Sequence, residues 1–258
     1  MGAPGFRYRS QAMDVIYGIH AVGEALKSRG RAFQYVGVTR ERHDHKMRLI
    51  IDECRASDVP VRFVSREQLD RLARTSAHQG VVAVTSQKKY LDLDDLLGSR
   101  RGDYSFLVVL DGVEDPQNLG AIIRTADAAG ADGVVLPERR AVGVTGAVAK
   151  ASAGASEHLP IARVPNLARS LEEMKSQKLW IVGLDERGQQ AYDTVDYKMN
   201  CALVLGAEGK GMHEHVRSRC DFLVHIPVLG KVASLNVSVA AAVVMYEVAR
   251  QHRNTGTR

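Results

Sequence analysis

Uninterrupted apolar runs recur from residue 105 onward, and this feature constrains the fold more than any other. A strand covered on both faces needs apolar residues at successive positions, as in parallel sheets between helical layers. The stretches between these runs instead place apolar residues at helical spacing. The alternation therefore predicts an α/β domain with a mostly parallel sheet. The predicted strands are 106–110, 133–136, 179–184, 202–205 and 222–226, and the predicted helices are 119–129, 146–155, 167–175 and 235 to about 250.

The preceding residues predict a smaller α/β unit over 14–89, built from shorter elements. Residues 1–13 lack periodicity and are interpreted as a flexible basic arm. Residues 90–104 combine an acidic cluster with a glycine-bounded segment and are interpreted as a linker, with one helical turn as an option, to a domain over 105–258. Within the smaller unit we predict helices ending at 27, 56 and 73, the first of them starting near residue 14, and strands at 33–39, 61–64 and 81–85.

Composition excludes several classes of protein. A chain of 258 residues with 45% hydrophobic and 25% charged residues is typical of a globular protein of about two domains. Its three cysteines are far apart and form no CxxC pair, so we expect neither a disulfide framework nor a metal site, and a reducing cytoplasmic location fits. No apolar run is long enough for a membrane span.

The net charge of +5 is unevenly distributed along the chain. Residues 1–89 carry +7, residues 90–104 carry −2, and residues 105–258 are neutral. A basic unit joined to a neutral one predicts that the first contacts a polyanion such as RNA, although the charge could simply keep a small domain soluble. The candidate RNA-binding residues are Arg40, Arg42, Lys46 and Arg48.

Three segments place polar or glycine residues after predicted strands, where parallel sheets bind ligands. In the first, Asn118 could cap a helix, and we expect it to share a pocket with Arg124. In the second, a glycine-rich loop fits neither common nucleotide-binding pattern. The third carries Ser234, Asn236 and Ser238 at the start of an apolar helix, with Ser234 as a possible cap. That helix is buried against either the sheet or a partner subunit. His213 and His215 are interpreted as solvated side chains.

These segments together resemble one family. The stretches 118–130 (NLGAIIRTADAAG), 203–212 (LVLGAEGKGM) and 226–247 (IPVLGKVASLNVSVAAAVVMYE) resemble the three motifs of the SpoU, or TrmH-type, SPOUT RNA methyltransferases. Residues 16–22 and 78–80 resemble that family's amino-terminal RNA-binding domain. The resemblance implies a carboxy-terminal trefoil knot, S-adenosyl-L-methionine as cofactor, homodimers, and a ribosomal-protein-like first domain. The substrate it implies is a guanosine ribose in the peptidyl-transferase P loop of 23S rRNA. A tRNA ribose methyltransferase or a non-catalytic RNA-binding protein are the alternatives.

The resemblance also assigns roles to particular residues. The catalytic and substrate-positioning set it implies is Asn118, Arg124, Glu208, Ser234 and Asn236, and the cofactor-binding set is Leu184, Leu205, Gly206, Ile226, Leu229 and Leu235. Arg124 is an unsuitable general base because a guanidinium stays protonated at neutral pH. We therefore expect a cationic Arg124 to stabilise the developing alkoxide, while the proton passes to water or a phosphate oxygen.

Overall fold

The computed structural model describes residues 13–42, 44–99, 102–207, 209–231 and 234–253. The chain divides into a first unit that ends at Lys89 and a second unit that starts at Tyr90. The predicted basic arm lies outside the described residues except for Met13, which opens the first strand.

The first unit contains a mixed sheet whose described strands follow the order β1-β4-β2-β3, in which only β2 and β3 are parallel. The predicted helix was wrong at its start, because residues 13–17 pair antiparallel with β4 and Gly18, at φ 97°, separates them from α1. The elements are β1 (Met13–Tyr17), α1 (Ile19–Ser28), β2 (Phe33–Thr39), α2 (His45–Ala56), β3 (Val61–Val64), α3 (Arg66–Ala73) and β4 (Val81–Ser86).

The second unit is built on a parallel sheet, as the apolar runs predict. Its described strands follow the order β7-β6-β5-β10-β8-β11-β9, and every pairing between them is parallel. The elements are α4 (Leu93–Leu97), β5 (Phe106–Asp111), α5 (Pro116–Ala128), β6 (Gly133–Pro137), α6 (Gly146–Ala151), β7 (Ile161–Val164), α7 (Leu167–Ser176), β8 (Trp180–Leu184), β9 (Gln190–Ala191), β10 (Cys201–Gly206), α8 (Glu214–Arg217), β11 (Phe222–His225) and α9 (Val237–Arg253).

Strand β5 shows why these runs are continuous. Its residues Val108 and Leu110 belong to the core on one face of the sheet, while Leu107 and Val109 belong to the core on the other face. Both faces are therefore shielded from water, and each successive side chain contributes to hydrophobic stabilisation.

The segment predicted as a linker differs from that prediction in its first half. Leu93 and Leu96 of α4 are buried in a core of the second unit. The Tyr90 hydroxyl accepts a hydrogen bond from the Val144 backbone nitrogen at 2.8 Å. The acidic residues that suggested a linker lie on the exposed side of this short helix, so composition concealed its two buried leucines.

The strand order places β11 between β8 and β9. The connection from β8 to β9 must therefore cross β11, and it does so at close range. A Cβ added to Gly188 would lie 2.5 Å from the carbonyl carbon of Val224, so this crossing requires glycine. Among the described helices, none has the length and apolar character required to cross a bilayer.

Candidate functional site

Two adjoining cavities lie in the second unit, beyond the carboxyl ends of β5, β8 and β10. The Leu184 cavity has a volume of about 580 Å³, and the His213 cavity about 500 Å³. They meet at four residues that line both: Ala207, Lys210, Gly211 and Val237. This is the edge at which open parallel sheets bind ligands.

The Leu184 cavity brings together most of the residues assigned to the cofactor by resemblance. It is lined by Leu184, Leu205, Gly206 and Leu235, together with Ser234 and Asn236 of the predicted catalytic set. The structure does not place the other two cofactor candidates on its wall: Ile226 is half-buried against the core, and Leu229 is 99% exposed.

The loop after β10 closes tightly on itself. The backbones of Ala207 and Gly211 exchange two hydrogen bonds, of 3.0 and 2.9 Å. A Cβ on Gly206 would lie 2.3 Å from the backbone of Gly211 and Met212, so a larger residue there would displace the loop. The predicted site residue Glu208 lies outside the described residues.

Asp185, directly after β8, also lines the Leu184 cavity. Its carboxylate accepts hydrogen bonds from the backbone nitrogen and the guanidinium of Arg187 and lies 3.3 Å from the Arg217 guanidinium. Burial disfavours the charged form, but the hydrogen bonds from Arg187 and the charge of Arg217 outweigh it and hold the pKa of Asp185 below its ordinary value. The ionised carboxylate therefore fixes the backbone beside Leu184.

Two asparagines connect the cavities. Asn118, on the wall of the His213 cavity, is buried, and its Oδ1 accepts a 3.0 Å hydrogen bond from Nδ2 of Asn236, on the wall of the Leu184 cavity. The predicted helix caps were wrong. Asp115, not Asn118, caps α5, and the Asn236 side chain, not Ser234, accepts the backbone hydrogen bond of Ser238 at the start of α9.

Arg124 does not share a pocket with Asn118 within one chain. Asn118 is buried, whereas Arg124 is exposed and lines neither cavity. The physical reason is the helix repeat: six residues rotate the side chain through about 600°, which places it about 120° away around α5. The sequence expectation that the two face a common pocket is therefore corrected for the single chain.

His213, which the sequence predicted to be a solvated side chain, is hydrogen-bonded on the wall of the His213 cavity. His213 donates from its backbone nitrogen and its ring Nδ1 to the two carboxylate oxygens of Asp111, at 2.7 and 2.9 Å. Asp111 ends β5 and is only 4% exposed. No spacing rule relates two residues 102 positions apart, although Asp111 at a strand end was a usable signal.

The predicted RNA-binding residues occupy the start of α2 and the turn before it in the first unit. Arg40, Lys46 and Arg48 are exposed. Arg42 is half-buried, pairs with the Asp44 carboxylate, and donates to the backbone oxygen of Gln79. Arg42 therefore stabilises the turn, and its charge is already partly compensated.

Family models match both units of the chain. Residues 105–246 match the SpoU rRNA methylase family, and residues 15–91 match the substrate-binding domain of RNA 2′-O-ribose methyltransferases. The chain belongs to the SpoU rRNA methylase family. It is 45% identical over 249 residues to YacO of Bacillus subtilis, which is assigned to the TrmH family of tRNA/rRNA methyltransferases; the match covers 96% of this chain and 99% of YacO. The family resemblance in the sequence is thereby confirmed.

Solved structures of related methyltransferases share the fold over nearly the whole chain. The SpoU methyltransferase AviRb of Streptomyces viridochromogenes, in complex with AdoMet, has a TM-score of 0.79 at 26% identity and covers 99% of this chain and 96% of its own. An AdoMet-bound rRNA methyltransferase of Sinorhizobium meliloti has a TM-score of 0.74 at 27% identity and covers 92% and 87%. A TrmH/SpoU tRNA-modifying enzyme of Aquifex aeolicus (A. aeolicus) covers 64% of this chain and 82% of its own, with a TM-score of 0.54 at 28% identity.

The family establishes this chain as an RNA 2′-O-ribose methyltransferase. Within the described residues, no group of histidine, cysteine, aspartate or glutamate side chains has an arrangement that could bind a metal ion.

Proposed function

We propose that this enzyme transfers a methyl group from S-adenosylmethionine to the 2′-hydroxyl of a guanosine in the P loop of 23S rRNA, the reaction of RlmB-type enzymes. One observation supports rRNA over tRNA. The AdoMet-bound rRNA methyltransferase structure covers 92% of this chain, and the AdoMet-bound SpoU methyltransferase structure covers 99%. The tRNA-modifying enzyme structure covers 64%, which is close to the fraction of this chain that the second unit makes up. In this chain the first unit carries the excess of positive charge, which suits a domain that binds RNA.

The Leu184 cavity fits S-adenosylmethionine. Its volume lies within the roughly 300–1,000 Å³ range of small-ligand sites. The apolar side chains of Leu184, Leu205 and Leu235 suit the adenosyl group, and backbone atoms of the loop after β10 supply hydrogen bonds. When bound, the cofactor supplies an activated methyl group on a sulfonium.

The hydrogen bond between Asn118 and Asn236 fixes the walls of the two cavities relative to each other. Asn236 orients the start of α9 and Asn118 at once, so a ribose beside Asn118 is aligned with the Leu184 cavity. Ser234, on the wall of that cavity, orients the ribose. For Glu208, which lies outside the described residues, the expectation from the sequence remains that its carboxylate positions Arg124 or Lys231.

Arg124 acts as a cation in this proposal. Deprotonating a guanidinium of pKa roughly 12.5–13.8 at pH 7 would cost about 7–9 kcal/mol, so a role in stabilising the alkoxide and the neighbouring phosphate is favoured over that of a base. Arg124→Lys tests this role. Lysine is the better base but lacks the planar fork, so substantial activity recovered at raised pH would count against a cationic role.

A homodimer would place Arg124 of one copy at the cavities of the other copy. One face of the chain around α9 exposes three large apolar side chains, Leu235, Val239 and Tyr246, at spacings of four and seven residues. We expect this face to pack against a second copy, so that Arg124 of one copy serves the cavities of the other. Mixing inactive Arg124→Ala and Asn118→Ala proteins should then restore activity in hybrid dimers. Failure of mixing to restore any activity, with hybrids verified by mass, would contradict shared sites.

The trefoil knot implied by the resemblance belongs to the same proposal. The crossing of β11 by the β8–β9 connection supports it. A knotted chain pulled from both ends reaches a shorter final length than an unknotted chain, because the tightened knot retains residues, so single-molecule extension provides the measurement.

The first unit binds RNA phosphates through Arg40, Lys46 and Arg48 in this proposal. Each neutralised phosphate contributes roughly 0.7 to 0.9 to the slope of log affinity against log salt. Replacing all three by glutamine should lower the slope by about 2 to 3. An unchanged slope and affinity would contradict this assignment.

Mapping of ribose methylation on total rRNA and tRNA, in cells with and without the gene, tests the substrate. We expect the P-loop guanosine to lose its methyl group only when the gene is absent. A change confined to tRNA would overturn the rRNA assignment, and no change in either RNA would favour a non-catalytic RNA-binding role.

A further inference from the structure

Methyl transfer to a ribose hydroxyl needs a group that takes up the hydroxyl proton, because an alcohol is a weak nucleophile until it loses that proton. Asn118, Ser234 and Asn236 cannot accept a proton at neutral pH, and Arg124 is already protonated. The candidates among the described residues that line either cavity are Glu114, Asp115, Asp185, Glu186 and His213.

The carboxylates among these candidates are poorly suited to accept the hydroxyl proton. Asp115 is bonded to the start of α5, and Asp185 is bonded to Arg187. Glu114 and Glu186 are exposed, and a fully hydrated carboxylate is a weak base toward the proton of an alcohol. An imidazole, with an ordinary pKa of about 6.5, is matched to neutral pH.

Hydrogen bonding fixes the tautomer of the His213 ring. Asp111 accepts from Nδ1, so that nitrogen carries the ring proton. The guanidinium of Arg140, which can only donate, lies 3.4 Å from Nε2. Nε2 therefore carries the lone pair, which accepts from Arg140 in this structure, so Arg140 must release Nε2 before this nitrogen can accept a substrate proton. A buried carboxylate that orients an imidazole in this way is the arrangement by which hydrolases prepare a histidine base.

Gly112, with φ 83°, is a neighbour of the His213 ring: a Cβ built on this glycine would lie 3.6 Å from Cε1 of the ring, an ordinary contact distance. The His213 side chain retains 37% exposure, so a proton on Nε2 can return to solvent. It lies in the same cavity as Asn118, which is bonded to the wall of the Leu184 cavity.

We propose that His213, oriented by Asp111, accepts the 2′-hydroxyl proton in the methyl transfer, in place of water or a phosphate oxygen. The inference rests on the proposed function. The ribose O–H bond breaks and its proton moves to Nε2, the oxygen forms its bond to the methyl carbon, and the carbon–sulfur electron pair stays on sulfur. One positive charge is lost at sulfur and one appears on the imidazolium, which then releases its proton to solvent.

Titratable and charged groups on several elements face this histidine. The Asp111 carboxylate lies at Nδ1 and the Arg140 guanidinium lies at Nε2. The His215 ring lies 5.6 Å from the His213 ring, centroid to centroid. The remaining charged side chains on the cavity wall are Lys210 on the loop after β10 and Glu114 and Asp115 before α5.

The test compares full-length wild-type enzyme with His213→Gln under single-turnover conditions, using radiolabelled S-adenosylmethionine and rRNA from cells that lack the gene. His215→Gln is the matched control, because it removes a neighbouring exposed histidine. Calorimetry measures S-adenosylmethionine affinity, and filter binding measures RNA affinity. Nitrogen-15 NMR of the protein without cofactor reports the tautomer of the His213 ring.

We expect His213→Gln to lower the methylation rate by 10²–10⁴-fold, with both affinities within about twofold of wild type, and to abolish the rise in rate between pH 5.5 and 8. NMR should show the ring proton on Nδ1, and His215→Gln should retain the wild-type rate and profile. A His213→Gln rate within threefold of wild type with the same pH profile would overturn the proposal, as would a ring proton on Nε2. Loss of the pH profile in Glu114→Gln instead would also overturn it. An inactive wild-type enzyme on both rRNA and tRNA would contradict the proposed function itself.

Discussion

Replacement of Asn236 by alanine should destabilise the second unit measurably, because this side chain makes two separable contributions. It caps α9, and an N-cap contributes about 1 kcal/mol. It also donates to the buried Asn118, and a neutral hydrogen bond contributes about 1 kcal/mol. Asn236→Ala should therefore lose about 2 kcal/mol. Asn236→Asp keeps the capping oxygen but loses the donor, so it should lose about 1 kcal/mol.

Thermal unfolding followed by circular dichroism separates these contributions. For a unit of this size, 1 kcal/mol shifts Tm by about 2–4 °C, so we expect a fall of about 4–8 °C for Asn236→Ala and about half of that for Asn236→Asp. Ser234→Ala is the matched control, since Ser234 is exposed and is not the cap, and it should shift Tm by less than about 2 °C. Equal destabilisation by Ser234→Ala and Asn236→Ala would refute the reasoning.

Three further predictions concern the Leu184 cavity and the thiols. Gly206→Ala should abolish S-adenosylmethionine binding in calorimetry, because its Cβ would lie 2.3 Å from the backbone of the loop that it must close; undiminished affinity would contradict this. Asp185 has a lowered pKa, so its stabilising contribution is present above about pH 4 and is lost as the pH falls through the folded-state value. Urea unfolding should accordingly show wild type more stable than Asp185→Asn at pH 7, with the difference narrowing below pH 4. Burial raises the pKa of Cys201, which is buried, and of Cys220, which is half-buried, to about 12; iodoacetamide at pH 8 should modify Cys201 only after unfolding, and rapid labelling of Cys201 in the native enzyme would contradict its burial.

The fold was largely predictable where burial dictates sequence. Strands β5 and β10 are covered on both faces, so their apolar runs marked them to within a residue at either end. Strand β1 was mistaken for the start of a helix because only one of its five residues is fully buried and its pairing partner, β4, lies more than 60 residues away. Short strands such as β9, with two residues, carry no pattern of their own.

The candidate site was predictable only in part, and mainly through the family resemblance. Glycine and apolar positions around the Leu184 cavity coincide with the expected cofactor residues, whereas Leu229 is exposed and Arg124 points away from Asn118. Spacing along one helix gave the wrong partner for Asn118, because contact on a helix requires steps of three or four residues. Its actual partner, Asn236, comes from another element 118 positions later.

One of the two side-chain pairs that organise the site, Asp111 with His213, arises from the register of the sheet. Strands β5 and β10 are neighbours in parallel register, with Asp111 opposite Gly206, so the loops that follow them leave the sheet side by side. The loop after β10 reaches His213, which bonds to Asp111, and the start of α9 reaches Asn118 beyond β5. A carboxylate that ends a central strand is thus positioned to orient whatever the neighbouring loop supplies. The identity of residue 213 therefore decides whether this enzyme has an imidazole base, and related chains with another residue there should show a different pH dependence under the same assay.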